Sequence, residues 1–493
     1  MSEPTQIEIS KLSGPKNNLT NNEDKLFGVT VMKSREVNES QDTSNSAPKD
    51  IEKQIEPELL MDQGYSWVIC FASFLIFFSS WGQNSGFAIY FAYYLNNDTF
   101  PDANKIDYSY IGGIAFGVGV FFSPVINYMM GKIGTRPTIA IGNCLQFCSL
   151  MLASFCTKKW QLYLTQGFMQ SFGLALVSIP GTTILPQYFK KKRVLAGGFA
   201  TAGSGVGGIC FNLGMQHVVD TKSVFWALRI QSIIGFILVW IAIALLRSRN
   251  KHAIVQFRVY DKEVLSTAGF WIFAFFVITC MFGYVIVLYT LAQFTTSLGY
   301  SEYQGSISAA MLQLGNALGR PCVGLLSDKY GAVTVTCVCY IIVGILCLAM
   351  WIPARNFATV IVFCIMVGSL MGSVYGMLAP AVARTFGLQK MNTTFSMLWM
   401  IMAVAGLFSP VIGLTLKHGG GGLVDPTQYV DCSIFAGCSF LACALSLFIL
   451  RGYIKARDSL TKSLDADKTD FLGVKVSLGG VVASCFKTSS QKI

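Results

Sequence analysis

Long apolar stretches separated by short polar segments constrain this chain more than any other feature of its sequence. Between about residues 64 and 457 there are twelve such stretches. A helix that crosses a hydrocarbon core about 30 Å thick needs roughly 20 apolar residues, so the stretches predict an all-α membrane protein with twelve transmembrane helices. The predicted spans cover residues 65–94, 108–130, 138–155, 160–188, 194–213, 225–246, 269–297, 304–326, 332–351, 357–382, 394–416 and 429–450.

The polar residues are concentrated at the two ends of the chain. Hydrophobic residues make up 53% of the sequence and charged residues 13%, against roughly 25% charged in soluble domains. Residues 1–63 are too polar to bury a core, so we expect a disordered tail there, and residues 458–493 form a second polar tail. Because the first sixty residues lack an apolar signal segment, the first span is expected to act as an uncleaved insertion signal.

The distribution of Lys and Arg between the loops predicts the orientation of the chain. Cytoplasmic loops are enriched in both residues. The loops on one face hold Lys132, Arg136, Lys190, Lys191, Lys192, Arg193, Arg247, Arg249, Lys251, Arg258, Lys262, Lys329, Arg384 and Lys390. The opposite face holds Lys105, Lys158, Lys159, Lys222, Arg355 and Lys417. Both tails are therefore expected in the cytoplasm. The net charge of +11 comes from basic residues that set the orientation of the chain and contact anionic lipid. It does not indicate nucleic-acid binding.

The sequence contains no pattern that predicts an enzyme. Almost all of its 15 cysteines fall inside predicted spans, and they form no CxxC pair. The three histidines lie in three different loops. We therefore expect no metal site, no cofactor and no catalytic residues.

The second half of the predicted membrane region repeats the first at an offset of 197 residues. The matched pairs are Pro124 and Pro321, Lys132 and Lys329, Gly134 and Gly331, and Phe189 and Phe386. This repeat predicts a six-helix bundle over residues 64–246, a cytoplasmic linker over 247–268 and a second bundle over 269–457. Two related bundles of this kind are typical of a duplicated transporter.

Several of these segments resemble known signatures. GLLSDKYG (324–331) resembles the loop signature of the major facilitator superfamily, and GKIGTRP (131–137) resembles its first-half copy. DQGYSW (62–67), YFKKKR (188–193) followed by Leu195, Ala196 and Gly198, and the Gly319–Pro321 triplet are similar to motifs of the monocarboxylate porter family and its fungal relatives. The resemblance implies two pseudo-symmetric six-helix bundles that move a small solute by alternating access.

Two positions depart from the proton-coupled animal porters. Asn316 stands where those porters have an Asp, and Ser85 stands where they have a Lys. An amide cannot take up or release a proton. Whether a proton is carried together with the solute is therefore left open by the sequence.

Arg320 is the strongest candidate for a substrate-binding residue. It lies eight residues before Asp328, which at 1.5 Å per residue places it about 12 Å inside the membrane. A charge at that depth usually marks a substrate path, and a guanidinium suits a carboxylate. The alternative is a structural arginine that snorkels or joins two helices. Asn316, one turn earlier, either binds substrate or braces Arg320.

A polar run in the first predicted span is a second candidate part of the site. Gln83, Asn84 and Ser85 are consecutive, which a lipid-facing helix would not tolerate. They line either a cavity or an interhelical hydrogen-bonding network. Aromatic residues expected to complete the lining are Tyr90, Tyr284, Tyr289 and Tyr375.

The superfamily resemblance also implies a conformational latch between cytoplasmic loops. Its charged residues would be Asp328, Lys329, Arg136 and Lys132. The glycines of the fifth span predict close helix packing rather than a dinucleotide loop. Asn97 lies in a glycosylation sequon, and ubiquitin-ligase machinery is a further candidate partner of the tails, through Lys49, Lys53 and Lys462.

These patterns predict a transporter of a small organic solute, with a monocarboxylate-type anion as the expected substrate. A neutral solute such as a polyol or a riboflavin-like vitamin is the alternative, because the Asp and the Lys of the proton-coupled porters are absent. A solute sensor that does not transport is the alternative from another functional class. The expected location is the plasma membrane, with the vacuolar membrane as the alternative.

Overall fold

A computed structural model describes residues 62–96, 99–100, 103–247, 259–417, 425–463 and 476–485. Within these ranges the chain is helical throughout, with no strand. The first six spans comprise Tyr65–Ser79, Trp81–Ser85 and Phe87–Asn96; Lys105–Phe121 and Ser123–Ile133; Thr135–Ala153; Lys159–Leu162, Tyr163–Met169, Gln170–Thr183 and Leu185–Gln187; Arg193–Thr221; and Val224–Leu245.

The second half of the chain repeats this arrangement of helices. After a short helix, Lys262–Leu265, spans seven to twelve comprise Ala268–Ser297; Glu302–Tyr330; Ala332–Leu346 and Cys347–Trp351; Phe357–Met371 and Ser373–Phe386; Leu388–Thr415; and Pro426–Tyr429 with Val430–Ser463. A last short helix covers Leu478–Cys485. The twelfth helix thus continues beyond the predicted span into the region expected to be a tail.

The twelve predicted spans correspond one to one with these helical segments. In the described part of the chain, nine helices are long and apolar enough to cross a bilayer. A tenth span is the bent pair Ile106–Phe121 and Ser123–Ile133, whose axes differ by 49°. The remaining two, Thr135–Ala153 and Glu302–Tyr330, are more polar because residues such as Gln146 and Arg320 lie inside them. The predicted all-α membrane fold is confirmed.

Two glycines that match in the internal repeat, Gly134 and Gly331, form tight turns between helices. Gly134 separates the second and third spans at φ 92°, and Gly331 separates the eighth and ninth at φ 102°. Side chains with a Cβ rarely adopt this left-handed conformation. The repeated glycine therefore lets one helix end and the next begin within a single residue.

The two bundles meet mainly where the second helix packs on the eleventh and the fifth on the eighth, and the fifth helix also contacts the tenth. The contact between the fifth and eighth helices is backbone to backbone. A Cβ placed on Gly198 would overlap the carbonyl oxygen of Arg320, and one on Gly205 would lie 2.7 Å from the carbonyl oxygen of Gln313. The glycines of the fifth span therefore serve close helix packing, as their pattern indicated.

This contact predicts that Gly198→Ala destabilises the protein. The new methyl group must push the fifth and eighth helices apart, and overpacking of this kind costs about 1–3 kcal/mol. Thermal unfolding in detergent should show a lower melting temperature. Gly214→Ala is the matched control on the same helix, since a Cβ there meets nothing within 4 Å. Equal melting temperatures for the two variants would contradict the packing argument.

Candidate functional site

Five aromatic side chains from both bundles form a cluster at the centre of the molecule. Trp81 and Phe116 come from the first bundle, and Tyr284, Tyr375 and Trp399 come from the second. The ring centroid of Trp81 lies 5.2 Å from that of Phe116, 6.1 Å from that of Tyr375 and 6.1 Å from that of Trp399. We call these five residues the central aromatic cluster; its rings touch across the boundary between the bundles.

Arg320 lies beside this cluster and is 4% exposed. Its Nη1 donates to the carbonyl oxygen of Thr201 (2.5 Å) and to Ser204 Oγ (2.6 Å), both on the fifth helix. Its Nη2 makes a long 3.4 Å bond to the Tyr284 hydroxyl, and the guanidinium carbon lies 5.1 Å from the ring centroid of Tyr375. Among the described residues, Arg320 forms no ion pair with a carboxylate.

Four buried polar atoms around Arg320 and the aromatic cluster have no hydrogen-bond partner in the described part of the chain. They are Nε of Arg320, Oδ1 of Asn316, and the indole Nε1 atoms of Trp81 and Trp399. Asn316 is fully buried, and its amide nitrogen bonds Gln313 at 3.4 Å. Buried polar groups are rarely left unpaired, so this concentration indicates a place where a ligand or water completes the bonding.

Gly372 is the break between the two helices of the tenth span, and its backbone packs tightly against Arg320. A Cβ on Gly372 would lie 2.5 Å from Arg320 Nε and 3.1 Å from Nη2, and it would overlap Asn316 Oδ1. The absence of a side chain therefore allows the backbone of the tenth span to approach the Nε and Nη2 edge of the guanidinium closely.

The polar run in the first span lies where that helix breaks at Gly86, and it takes part in a network inside the first bundle. Gln83 Nε2 donates to the Gln231 carbonyl at 2.7 Å, and Gln146 Nε2 donates to Gln83 Oε1 at 2.9 Å. The Tyr90 hydroxyl donates to Gln231 Oε1. Gln83 and Tyr90 therefore take part in interhelical hydrogen bonding, and both also border a small cavity.

The other predicted lining residues are placed differently from one another. Asn84, Gln166 and Gln170 border a cavity of about 20 Å³. This cavity has room for about one water molecule. The Ser85 hydroxyl bonds the Gly82 carbonyl of its own helix at 2.7 Å. Tyr289 is half-buried and packs against the main hydrophobic core.

The structure brings together residues that the sequence did not single out. Trp81, Trp399, Thr201 and Ser204 all contact Arg320 or the aromatic cluster. Trp81 could have been suspected, since it directly precedes the polar run at 82–86. Nothing in the apolar stretch around Trp399 distinguished it from a packing residue.

Asp328 joins the two bundles at the end of the molecule that holds the basic loops, which we call the basic end. Its carboxylate accepts hydrogen bonds from the backbone N–H groups of Val194 (3.1 Å) and Leu195 (2.9 Å) at the start of the fifth helix. A helix N-terminus has unpaired N–H groups and a partial positive charge. The eighth helix therefore caps the fifth.

Asp62 binds the same stretch of backbone from the other side. Its carboxylate accepts from the backbone N–H groups of Lys190 (3.2 Å), Lys191 (2.9 Å) and Lys192 (3.0 Å). Trp67, five residues later, packs edge-on against Phe189. The first two motifs that resemble the monocarboxylate porter family are therefore in direct contact, and the second contacts the third where Gly198 meets Arg320.

The other residues of the predicted latch make further contacts of their own. Arg136 donates to the carbonyl oxygen of Leu246 at the end of the sixth helix. Lys132 lies over the ring of Tyr128 and Lys329 over that of Tyr330. Asn97, Lys49 and Lys53 lie outside the described residues, as does the side chain of Lys462.

A family comparison now identifies the chain. A model of the Major Facilitator Superfamily matches residues 69–410. The chain belongs to the major facilitator superfamily. It is 43% identical to Probable transporter MCH2 of Saccharomyces cerevisiae, over 84% of this chain and 89% of that protein. It is also 35% identical to Uncharacterized transporter ESBP6 of the same yeast, over 80% of this chain and 60% of that protein.

Solved structures of the superfamily share the fold. A variant of the E. coli fucose:proton symporter FucP matches with a TM-score of 0.58 at 14% identity, covering 79% of this chain and 99% of that one. An outward-conformation structure of FucP matches with the same TM-score at 15% identity, covering 78% and 98%. This facilitator is therefore an integral, multi-pass membrane transporter and not an enzyme.

The Asp62 contact predicts that Asp62→Asn destabilises the facilitator. An asparagine offers one acceptor oxygen, without charge, to three N–H groups; hydrogen bonds to charged groups contribute about 1.5–3 kcal/mol. Thermal unfolding in detergent should show a lower melting temperature. Asp220→Asn is the control, because Asp220 is exposed and its carboxylate accepts a hydrogen bond from the Gln216 side chain at the surface. A melting temperature equal to that of the wild type would rule out this anchoring role.

Proposed function

We propose that this facilitator carries a small organic anion of the monocarboxylate type, with Arg320 as the anion-binding residue. The observation that carries the proposal is the position of Arg320, which is buried between the bundles without a carboxylate partner among the described residues. A buried charge without a counter-charge is costly. A substrate anion would supply that charge when it binds.

The free edge of the guanidinium supports this assignment. Nη1 is occupied by Thr201 and Ser204, whereas Nε has no partner among the described residues and Nη2 makes only the 3.4 Å bond to Tyr284. Nε and Nη2 point in parallel from one side of the guanidinium, the geometry in which arginine binds both oxygens of a carboxylate. The backbone at Gly372 packs closely against this edge, so a carboxylate reaches it when the tenth span moves away.

Alternating access fits the way Arg320 joins the bundles. The residue belongs to the eighth helix and donates to two groups of the fifth, so its bonds cross the boundary along which the bundles move in this mechanism. A bound anion would draw the guanidinium towards its Nε and Nη2 edge and away from Thr201 and Ser204 on Nη1. Substrate binding would thereby weaken one link between the bundles and favour their movement.

A neutral solute remains the second candidate. The cavity inside the first bundle is lined by Gln83, Asn84, Gln166, Gln170 and Gln231, and no charged side chain of the described residues borders it. The amide oxygen of Gln166 is buried without a partner in the described part of the chain. Such groups suit hydroxyl or amide groups of an uncharged solute.

Replacing Arg320 separates these possibilities. In proteoliposomes with and without a pH gradient, Arg320→Gln should abolish uptake of labelled lactate, pyruvate or acetate, since the bidentate contact and the charge are lost. Its melting temperature should be no lower than that of the wild type, because an uncompensated buried charge has been removed. Arg229→Gln is the control: Arg229 also lies in a span, bonding Ser154 Oγ at 2.9 Å.

Each other outcome has a definite meaning. A large loss of stability in Arg320→Gln, with uptake unchanged per folded molecule, would make Arg320 a structural link and overturn the proposal. Uptake of glycerol or riboflavin in place of acids would favour the neutral solute. Acid uptake that follows the pH gradient would add a proton as a second substrate.

We further propose that the basic end faces the cytoplasm of a plasma-membrane protein and that Asp328 closes it. The bonds from Val194 and Leu195 to Asp328 cross between the bundles, so they must break when that end opens. The proposed latch is therefore the Asp328 carboxylate bound at the N-terminus of the fifth helix. Lipid with anionic headgroups and ubiquitin-ligase machinery remain proposed partners of this face.

Hydrogen exchange tests the latch directly. Asp328→Asn should accelerate exchange of the Val194 and Leu195 amides by about 10-fold or more, since a bond to a charged group contributes about 1.5–3 kcal/mol. The matched control is Asp62→Asn, which should instead accelerate exchange at 190–192. Unchanged exchange at 194 and 195, with an unchanged transport rate, would show that Asp328 is not a latch.

A further inference from the structure

The central aromatic cluster is larger than a small aliphatic acid would need. The Trp81 ring contacts those of Phe116, Tyr375 and Trp399, and Tyr284 continues the cluster, with its ring centroid 5.6 Å from that of Tyr375. Tyr375 also carries the guanidinium of Arg320 on its face. The anion site and the aromatic surface are therefore continuous.

The two tryptophans carry polar groups that packing alone does not explain. Trp399 is 2% exposed, and the indole N–H groups of Trp81 and Trp399 have no acceptor in the described part of the chain. A buried Trp usually finds a partner for its N–H. Phenylalanine or leucine would fill the same space without leaving a donor unpaired.

The unpaired atoms define what the missing ligand must offer. Of the four atoms around Arg320 and the aromatic cluster that lack a partner among the described residues, three are donors, namely Arg320 Nε and the two indole N–H groups. The fourth, Asn316 Oδ1, is an acceptor. A ligand rich in acceptor oxygens satisfies the donors. A flat ring makes the best use of the aromatic faces.

We propose that the substrate is an aromatic carboxylate. This inference rests on the proposed function and specifies its substrate class. The carboxylate binds the Nε and Nη2 edge of Arg320, and the ring lies among Trp81, Tyr375 and Trp399. The indole N–H groups donate to the remaining carboxylate lone pairs or to an oxygen substituent on the ring.

Ring binding would also couple the ligand to movement of the bundles. Trp81 belongs to the first bundle and Trp399 to the second, with centroids 6.1 Å apart. A ring inserted between two faces needs about 3.5–4 Å on each side, more than the present separation. The ligand therefore enters only when the bundles separate, and its stacking replaces the direct contact between the tryptophans.

The test compares aromatic and aliphatic acids. The probes are benzoate, phenylacetate and indole-3-acetate against acetate and lactate, measured by proteoliposome uptake and by ligand-dependent quenching of tryptophan fluorescence. We expect the aromatic acids to bind about 10-fold more tightly than acetate, the scale of a good aromatic contact.

Variants of Trp81 locate the effect. Trp81→Leu should weaken binding of the aromatic acids by about 10-fold more than it weakens that of acetate, since only the aromatic acids lose the ring contact as well as the N–H. Trp81→Phe keeps a ring without the N–H, so it should retain most of the stacking. It replaces Trp81→Leu in the test if the leucine variant does not fold. Trp226→Leu is the control, since Trp226 is 51% exposed on the sixth helix.

Failure of this inference is distinguishable from failure of the proposed function. Equal binding of aromatic and aliphatic acids, each lost in Arg320→Gln, would overturn the aromatic specificity and leave the anion site standing. Binding of all acids that is unaffected by Arg320→Gln would overturn both. Aromatic acids bound equally well by wild type, Trp81→Leu and Trp81→Phe would show that Trp81 only packs the core and would overturn the placement of the ring.

Discussion

The backbone contact between the fifth and eighth helices is the constraint on which the rest of the site depends. Gly198 allows the carbonyl of Arg320 to approach the fifth helix so closely that no side chain fits between them. The same approach brings the guanidinium of Arg320 to Thr201 and Ser204. Without it, the arginine would lie within one bundle and could not respond to the position of the other.

The same pair of helices is tied together again at the basic end. Asp328 accepts two backbone N–H groups at the start of the fifth helix, one turn before Gly198. Asp62 holds the loop that precedes them. Two separate segments therefore hold the start of the fifth helix, and the Asp328 link between the bundles is polar. Such a contact can break and reform without disturbing the apolar core of either bundle.

The aromatic cluster and Arg320 complement one another physically. A guanidinium packed on a tyrosine face remains charged while most of its surface is shielded from water. The donors around it that lack partners among the described residues lie in a closed centre. The cavity that borders Tyr375 and Thr201 has a volume of only about 10 Å³, which is too small for a solute. A ligand can therefore bind these groups only when the bundles separate. Alternating access requires such a separation of the bundles.

The sequence alone determined the membrane fold, because apolar length, the basic loops and the 197-residue repeat are properties of linear order. It also indicated Arg320 and Asn316, since polar groups at that depth stand out against an apolar background. It could not separate Gln83 and Tyr90, which bond within the first bundle, from residues that face the centre. Nor could it assign Trp81 and Trp399 to one cluster or Asp328 to the fifth helix. Those contacts join residues over 100 positions apart, and only the packing of one bundle against the other decides which faces meet.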